Sequence, residues 1–279
     1  MKIFTNKTEL QQYVSELHLA GKTVGFVPTM GALHQGHLSL LAQAKQQTDI
    51  TVCSIFVNPT QFNDPKDLER YPRPIEADIA KLQQAGCHVL FNPPVTEMYA
   101  DNEHWHLDIG DLEHLLEGKF RPGHYQGVMQ VVHKLFTIVK PDFAFFGQKD
   151  YQQVMVIGQM VTLMHLPVKL VMCPIEREPD GLAMSSRNIH LTESNHQHAL
   201  VLSKALYQAK ENFAAGQSIA DIEQEAKKLI EQEPEMVLEY FEMVDGDTLH
   251  LATEQTHHVV ALVAAKAGAT RLIDNVIIR

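Results

Sequence analysis

Two histidines, His34 and His37, stand three positions apart in the segment PTMGALHQGH at 28–37. Gly31 and Gly36 in this segment let the backbone approach a ligand closely. A helix is predicted to follow, and the N-terminal end of a helix attracts phosphate. Both imidazoles can donate hydrogen bonds to phosphate oxygens. The segment therefore predicts a phosphate site, with two ordinary surface histidines as the alternative. Since no third ligand follows at useful spacing, the pair does not predict a metal site.

A second polar segment, FFGQKDYQQ at 145–153, offers a mobile ammonium to a phosphate through Lys149. Asp150 and Gln153 have the D-x-x-Q spacing of a helix-capping pair, which is the structural alternative for these two residues. Both roles are compatible, because a capped helix N-terminus still attracts anions. The segment therefore indicates a second contact to a phosphate.

A third segment, GLAMSSRN at 181–188, combines an arginine with two hydroxyl groups. Arg187 can hold two phosphate oxygens with its forked guanidinium, and Ser185 and Ser186 can donate beside it. A hydroxyl-rich turn is the alternative interpretation. No G-x-S-x-G sequence surrounds either serine, so the segment does not predict a serine nucleophile.

A fourth segment, FVNPTQF at 56–62, carries the neutral and directional amides of Asn58 and Gln61. Such groups suit a small hydroxy acid better than a phosphate, and Phe62 and Met30 could supply the apolar wall of its pocket. The alternative is a turn built by the Asn-Pro pair. Together the four segments predict that a nucleotide and a small polar ligand meet.

The elements that position these segments alternate between strand and helix through the first ~175 residues. Strands are predicted at 23–29, 50–57, 87–93, 143–147 and 168–174. Helices are predicted at 37–47, 75–86, 128–139 and 151–164. This alternation is typical of an α/β fold with a doubly wound parallel sheet, in which ligands bind at the carboxyl ends of the strands. The four polar segments lie at such ends or beside a domain boundary.

The pattern changes after about residue 188, where helices are followed by clustered strands. Helices are predicted at 193–215 and 218–232, and strands at 238–245, 257–268 and 270–278. This order indicates a second, smaller α+β domain. Pro174, Pro179 and Gly181 cluster at the change. We therefore expect domains at 1–175 and 176–279.

The composition excludes several classes of protein. The chain has 279 residues, 45% hydrophobic and 20% charged, with a formal net charge of -11, which argues against a surface for duplex nucleic acid. It has no apolar run of the ~18 residues that a membrane span needs, and no signal peptide is expected. Cys53, Cys87 and Cys173 are odd in number and far apart, so we expect buried, reduced thiols and a cytoplasmic location.

Six segments together resemble the pantothenate synthetase family, within the larger group of H-x-G-H nucleotidyltransferases. They are PTMGALHQGH, FVNPTQF, DLERYPR at 67–73, RPGHYQGV at 121–128, FFGQKDYQQ and GLAMSSRN. The H-x-G-H sequence alone occurs in many enzymes, whereas all six segments in this order are specific to this family. The resemblance implies a Rossmann-like N-terminal domain and a smaller C-terminal domain that acts as a lid.

The resemblance also assigns residues. It implies an ATP site lined by Met30, Gly31, His34, His37, Gly147, Lys149, Asp150, Glu176, Met184, Ser185, Ser186 and Arg187. It implies catalytic roles for His37, His34, Lys149 and Arg187. It implies that Gln61 and Gln153 bind pantoate and that Gln61 lies close to β-alanine, and we expect Met30 and Phe62 to complete this substrate site as its apolar wall. Glu176 replaces the usual apolar residue, so only its backbone is assigned. Gln126 stands where a charged residue is common, and we assign its loop no catalytic role.

The activity implied by the resemblance is an ATP-dependent ligase that joins pantoate to β-alanine through a pantoyl adenylate, releasing AMP and pyrophosphate. Mg²⁺ would accompany ATP, no protein ligand to it is assigned, and a homodimer is expected. Two alternatives stay open. One is another H-x-G-H adenylyltransferase, which would not need FVNPTQF. The other is a non-catalytic nucleotide-binding protein, which could lose Lys149, His37 and Arg187 although all three are present.

Overall fold

The computed structural model describes residues 1–100 and 103–279. They form two compact units. The first unit comprises Met1–Gly147 and Gln153–Pro174, and the second comprises Gln148–Gln152 and Ile175–Arg279. Five residues in the middle of the FFGQKDYQQ segment therefore group with the C-terminal part of the chain, although no sequence boundary sets them apart.

The first unit contains a six-stranded parallel sheet with the strand order β1-β4-β3-β2-β5-β6. The strands are β1 Lys2–Phe4, β2 Val24–Thr29, β3 Ile50–Ile55, β4 Val89–Phe91, β5 Phe143–Gly147 and β6 Lys169–Cys173. The predicted α/β class is confirmed. The sequence did not predict β1, because three residues at a sheet edge with two exposed side chains carry no periodic signal.

Helices cover both faces of this sheet. They are α1 Lys7–Leu19, α2 Gln35–Gln47, α3 Pro65–Arg70, α4 Ile75–Gln84, α5 Val95–Met98, α6 Leu116–Phe120, α7 His124–Val139 and α8 Tyr151–Leu163. Helix α7 begins four residues before its predicted start, because its buried face already includes His124 and Tyr125. Helix α1 was not predicted, although Asn6 caps it by accepting from two backbone N–H groups.

The inner strands β2 to β5 are largely buried on both faces, as expected of parallel strands with helices on either side. Neighbouring strand residues enter different hydrophobic clusters, because successive side chains of a strand point to opposite faces. Phe26, Phe91 and Phe146 belong to the cluster that includes α1, α7 and α8. Val27, Leu90 and Phe145 belong to the cluster that includes α2 and α4. This double core fixes the carboxyl ends of β2, β3 and β5 as neighbours.

The second unit is the predicted α+β arrangement. It contains α9 Glu193–Ala214 and α10 Ile219–Glu231, followed by an antiparallel sheet of β7 Met236–Asp245, β8 Val259–Ala267 and β9 Thr270–Ile277. One core joins the two helices to the sheet. Thr192 and Ser218 cap the helices with their hydroxyl oxygens, as hydroxyl residues commonly do.

All three cysteines are free and buried, as predicted. Burial raises the pKa of their thiols, that of Cys173 to about 11, so they stay protonated. Among residues 1–100 and 103–279, no helix is long and apolar enough to cross a membrane.

Candidate functional site

The turn after β2 has an unusual backbone. Gly31 has φ of +84° and Ala32 has φ of 50°, so two successive residues lie in the left-handed region. A Cβ atom on Gly31 would lie 3.0 Å from Ile55 Cγ2 and 3.1 Å from Asp78 Oδ2. Any side chain at this position would therefore be crowded as well as strained. Gly31 is therefore required by the backbone conformation and the close packing, a reason that differs from the predicted approach to a ligand.

A buried carboxylate holds this turn from the neighbouring helix α4. Asp78 Oδ2 accepts from Ala32 N at 2.7 Å, and Asp78 Oδ1 accepts from Leu33 N at 2.8 Å. Lys81, on the same helix, donates through Nζ to Leu33 O at 2.5 Å. Asp78 is only 1% exposed, so its charge is stabilised mainly by these N–H groups. The carboxylate fixes the strained backbone that leads into the histidines.

The sequence analysis did not single out Asp78, although a signal was available. Asp78 follows Ile75 by three residues and precedes Leu82 by four, so it lies on the buried face of α4. A carboxylate on the apolar face of an amphipathic helix is unusual unless it has partners. Its partners lie 45 and 46 residues earlier, and no local pattern identifies them.

His34 and His37 form a reciprocal cap at the start of α2. His34 Nδ1 accepts from Gly36 N at 3.1 Å, and His37 Nδ1 accepts from His34 N at 3.3 Å. Their ring centroids lie 4.1 Å apart. Since each Nδ1 accepts a hydrogen bond, each neutral ring carries its proton on Nε2. The geometry therefore makes both histidines Nε2 donors at a helix N-terminus, where anions are favoured.

Gln61 is oriented by Asn58 in the turn after β3. Asn58 Nδ2 donates to Gly127 O at 3.1 Å, and its Oδ1 accepts from Tyr99 Oη at 2.7 Å and from Thr60 N at 3.4 Å. Backbone partners thus fix which end of the Asn58 amide is the donor. Nδ2 also donates to Gln61 Oε1 at 3.1 Å. The Gln61 amide therefore uses its oxygen for support and keeps its nitrogen as a donor.

Asn58 has two roles in the structure, of which the sequence analysis named only the first. It caps the 3₁₀ turn Pro59–Gln61, as the structural alternative stated, and it also orients the Gln61 side chain. Burial raises the pKa of its partner Tyr99 to about 12, so the Tyr99 hydroxyl stays a donor to Asn58. The turn is therefore held by neutral groups.

The RPGHYQGV segment supports the same turn. His124 Nδ1 lies 2.8 Å from Gln61 O, and His124 Nε2 lies 3.0 Å from an Arg121 guanidinium nitrogen. Because the guanidinium can only donate, His124 accepts at Nε2 and donates from Nδ1 to Gln61 O. A Cβ atom on Gly127 would lie 2.4 Å from Thr60 O, so only glycine allows this approach of α7. The segment has a supporting role that sequence reasoning did not assign.

The residues predicted to form the apolar wall follow two neighbouring strands, Phe62 after β3 and Met30 after β2. Phe62 is half-buried and packs edge-on against Tyr71, with ring centroids 5.8 Å apart. Tyr71 belongs to the DLERYPR segment and is buried. Met30, at the carboxyl end of β2, is also half-buried. The segment DLERYPR therefore contributes packing to the Phe62 ring.

The carboxyl end of β5 supplies the last residues of the first unit. Gly147 ends β5, which pairs with β2 in the sheet. Apart from its chain neighbours, no atom of the described residues lies within 4 Å of a Cβ built on Gly147. Gln153 is half-buried in the first turn of α8. The turns after β3, β2 and β5 thus lie at adjacent strand ends.

Lys149 and Asp150 belong to the second unit and form the 3₁₀ turn Gln148–Asp150. Lys149 Nζ lies 3.8 Å from Asp150 Oδ1, and the Lys149 side chain is 18% exposed. A pair at this distance with an exposed carboxylate contributes little to stability. The turn is held by a buried amide of β9, Asn275, which donates to Lys149 O at 3.0 Å.

The segment from Glu176 to Met184 is a hairpin-like loop. Met184 N donates to Glu176 O at 3.0 Å, and Arg177 pairs with Ala183 in an antiparallel bridge. The Arg177 guanidinium donates to both oxygens of Asp274 on β9, at 2.7 and 3.0 Å. Burial raises the pKa of the Asp274 carboxyl, and the Arg177 charge opposes that shift. The loop is therefore fixed by a bidentate buried ion pair.

The hydroxyl residues continue from this loop. Arg187 N donates to Ser185 Oγ at 3.3 Å, and Asn188 N donates to Ser185 O at 3.0 Å. Ser185, Ser186 and Arg187 are all half-buried. The predicted hydroxyl-rich turn is therefore present, and it carries the arginine that was predicted to bind phosphate.

Each unit therefore holds part of the predicted site. In the first unit the structure places the following residues at three adjacent strand ends: Met30, Gly31, His34, His37, Gln61, Phe62, Gly147 and Gln153. In the second unit it places the following residues on a turn and a loop that β9 anchors: Lys149, Asp150, Glu176, Met184, Ser185, Ser186 and Arg187.

Comparison with known proteins gives a consistent result. A profile of the family described as pantoate-beta-alanine ligase matches residues 2–277. A protein named pantothenate synthetase from Porphyromonas gingivalis strain W83 is 46% identical over 278 residues, covering 99% of each chain. One with the same name from Bacteroides thetaiotaomicron is 44% identical over 278 residues, covering 99% of this chain and 98% of its own.

Solved structures agree in fold. The crystal structure of pantothenate synthetase from Thermus thermophilus has a TM-score of 0.95 and 40% identity, covering 100% of this chain and 99% of that one. A pantoate-beta-alanine ligase from Francisella tularensis, complexed with beta-gamma ATP and beta-alanine, has a TM-score of 0.83 and 36% identity. It covers 99% of this chain and 97% of that one.

Proposed function

The chain belongs to the pantoate–β-alanine ligase family, and from this premise we propose how its residues divide the work of the reaction. The protein is a ligase that forms pantothenate from pantoate and β-alanine at the expense of ATP. The observation that carries the proposal is the reciprocal cap of His34 and His37, which sets two Nε2 donors after β2. The Gln61 amide follows the neighbouring strand β3.

The first step activates pantoate, because a carboxylate is a poor acylating agent. The pantoate carboxylate attacks the α-phosphorus of ATP, pyrophosphate leaves, and pantoyl adenylate forms. Negative charge then spreads over the phosphate oxygens. We assign the Nε2–H groups of His34 and His37 and the cations of Lys149 and Arg187 to these oxygens. Neutral donors and cations together stabilise this charge without a covalent enzyme intermediate.

The remaining residues of the predicted ATP site are assigned to the nucleotide as well. We propose that the nucleotide approaches the strand ends beside Met30, Gly31 and Gly147. Gly147 offers space there, because among the described residues only its chain neighbours lie within 4 Å of an added Cβ. Asp150, Glu176, Met184, Ser185 and Ser186 are proposed to complete the ATP contacts. The carbonyl of Glu176 already accepts a hydrogen bond from Met184 N. We therefore expect the Glu176 backbone to contact the nucleotide through an atom other than this carbonyl oxygen.

Pantoate is assigned to the amide-rich turn. Gln61 Oε1 is engaged by Asn58, so the Gln61 nitrogen is the atom that donates to pantoate. Gln153 and the apolar side chains of Phe62 and Met30 complete its pocket. In the second step the β-alanine amine attacks the adenylate carbonyl, and AMP leaves. A neutral pocket suits this step because it tolerates both a mixed anhydride and an uncharged amine.

Magnesium is proposed to enter with ATP as its counter-ion. The buried carboxylate that contacts the histidine loop, Asp78, already accepts a backbone N–H at each oxygen. This fits a metal carried on the phosphates, as magnesium often is.

A cytoplasmic location, suggested by the three buried thiols, and a homodimer are proposed as well. Sedimentation of the purified chain tests the dimer.

One assay tests the activity and its order. The protein is incubated with Mg-ATP and pantoate, and pyrophosphate release is measured. β-Alanine is then added, and AMP and pantothenate are measured. We expect one equivalent of pyrophosphate before β-alanine and AMP only after it. AMP release with no requirement for β-alanine, or no pyrophosphate from pantoate and ATP, would refute the proposed sequence of steps.

A further inference from the structure

One buried amide on β9 makes three hydrogen bonds to the turn that carries Lys149. Asn275 Nδ2 donates to Gln148 O at 2.9 Å and to Lys149 O at 3.0 Å. Asn275 Oδ1 accepts from Gln148 Nε2 at 3.0 Å. Asn275 is 1% exposed, so water does not compete for these groups. Asn275 and Lys149 are 126 positions apart in sequence.

The turn needs such support. Gln148–Asp150 is a 3₁₀ turn of three residues, and so short a turn makes few hydrogen bonds of its own. Lysine has a flexible side chain whose ordering costs conformational entropy. The two hydrogen bonds from Asn275 Nδ2 fix the carbonyls on both sides of the Lys149 Cα. They therefore restrict the position and direction of the Cα–Cβ bond from which the side chain extends. An anchored backbone therefore reduces the freedom that the ammonium loses on binding phosphate.

The preceding residue shows that β9 is the common anchor. Successive residues of a strand point to opposite faces, and Asp274 holds Arg177 of the loop that leads to Ser185 and Arg187. Asn275 holds the Lys149 turn. Two adjacent residues of one strand thus hold the turn that carries Lys149 and the loop that leads to Arg187, the two cations assigned to the phosphates.

We propose that Asn275 is a positioning residue of the adenylation reaction, which sets Lys149 for the nucleotide phosphates without touching them. This inference rests on the proposed role of Lys149. It predicts that Asn275 affects nucleotide binding and pyrophosphate release through Lys149 alone, and that its contribution vanishes when the ammonium is absent.

The test compares five variants with the wild type by titration with Mg²⁺ and a non-hydrolysable β,γ-methylene ATP analogue. Asn275→Asp has nearly the same shape but turns an oxygen toward two carbonyl oxygens. Asn275→Ala removes the amide without adding charge. Lys149→Ala removes the ammonium, alone and combined with Asn275→Ala. Val276→Ala, on the same strand and in the core, is the control for lost stability.

We expect Asn275→Asp and Asn275→Ala each to raise the dissociation constant of the analogue about tenfold. Val276→Ala should change it less than about twofold at a similar loss of melting temperature. In the Lys149→Ala background, Asn275→Ala should add less than about twofold, because coupled residues are not additive. The rate of pyrophosphate release at saturating ATP should fall with Asn275→Ala and not with Val276→Ala.

Three outcomes would overturn the inference. If both Asn275 variants bind the analogue like the wild type while Lys149→Ala does not, Asn275 has no positioning role and the proposed function stands. If the two losses multiply in the double variant, Asn275 acts independently of Lys149. If Lys149→Ala binds normally, the role of Lys149 in the proposed function fails, and the inference fails with it.

Discussion

The histidine turn of the first unit (residues 30–37) and the lysine turn of the second (residues 148–150) are both assigned to the nucleotide. Their functional residues are held by partners at different distances in the sequence. His34 and His37 cap each other across three residues. Lys149 lies on a turn held by Asn275, 126 residues further on. The difference teaches that the histidine geometry is largely local, whereas the lysine geometry exists only once β9 has formed.

The largest effect should come from the lysine turn itself. We expect Lys149→Ala to lower the rate of pyrophosphate release by a factor of about 10²–10³, because a cation aimed at transition-state charge contributes about 3–4 kcal/mol. The melting temperature should stay unchanged, since the Lys149 side chain has only a weak ion pair. Lys210→Ala, an exposed lysine of α9, is the control. Near-normal pyrophosphate release by Lys149→Ala would show that Lys149 does not take part in adenylate formation.

The turn that leads into His34 and His37 is tested through Asp78, a distant support from α4. We expect Asp78→Asn to lower the free energy of unfolding by about 2–3 kcal/mol, because an amide N–H₂ would face a backbone N–H in a buried position. Turnover should also fall, since the strained backbone before His34 would relax. Urea unfolding measures the first effect and steady-state kinetics the second.

Glu76→Gln is the matched control on the same helix, because Glu76 is exposed. Its effect on stability should be within about 0.5 kcal/mol. If Asp78→Asn unfolds at the wild-type urea concentration and retains full turnover, the histidine turn is held by local contacts alone. The contrast between the two turns would then be sharper than we propose.

The turn at residues 58–62, which carries Gln61, is expected to affect the binding of pantoate more than that of ATP. We expect Gln61→Ala to raise KM for pantoate about tenfold and KM for ATP less than twofold, because one neutral hydrogen bond and part of a pocket wall are lost. Gln130→Ala, which removes another buried glutamine of the first unit, should change neither KM. An equal rise for both substrates would contradict a direct contact between Gln61 and pantoate.

The smallest effect is a pH dependence shared by both units. Burial raises the pKa of Tyr99 and of Tyr151 to about 12, above the value of about 10 in an unfolded chain. A folded pKa above the unfolded one means that this stability is complete below about pH 10 and lost as pH rises toward 12. Each tyrosine should account for about 1 kcal/mol, after allowance for partial solvent exposure.

Unfolding free energies at pH 9 and pH 11 check this for Tyr99→Phe and Tyr151→Phe. Each variant should flatten the decline between the two pH values relative to the wild type. Tyr99 donates to Asn58 in the first unit and Tyr151 to Gly246 O in the second. If only one variant flattens the decline, only that tyrosine is buried in solution as described.

Much of the fold was available from the sequence. The alternation of strand and helix predicted β2 to β6 and the C-terminal strands within a few residues, because periodicity and glycine or proline punctuation are local properties. It did not reveal β1 or α1, whose signals are weak. It also did not predict that Gln148–Gln152 would group with the second unit, because such grouping depends on contacts with a distant strand.

The site divides in the same way. The sequence by itself determined the types and spacing of the reactive groups: the histidine pair, Lys149, Arg187 and Gln61. The tertiary structure alone decided what orients them, namely Asp78, His124 and Asn275. The physical reason is that a side chain's chemistry is carried by its own atoms, whereas its orientation depends on partners that only folding brings within hydrogen-bond distance.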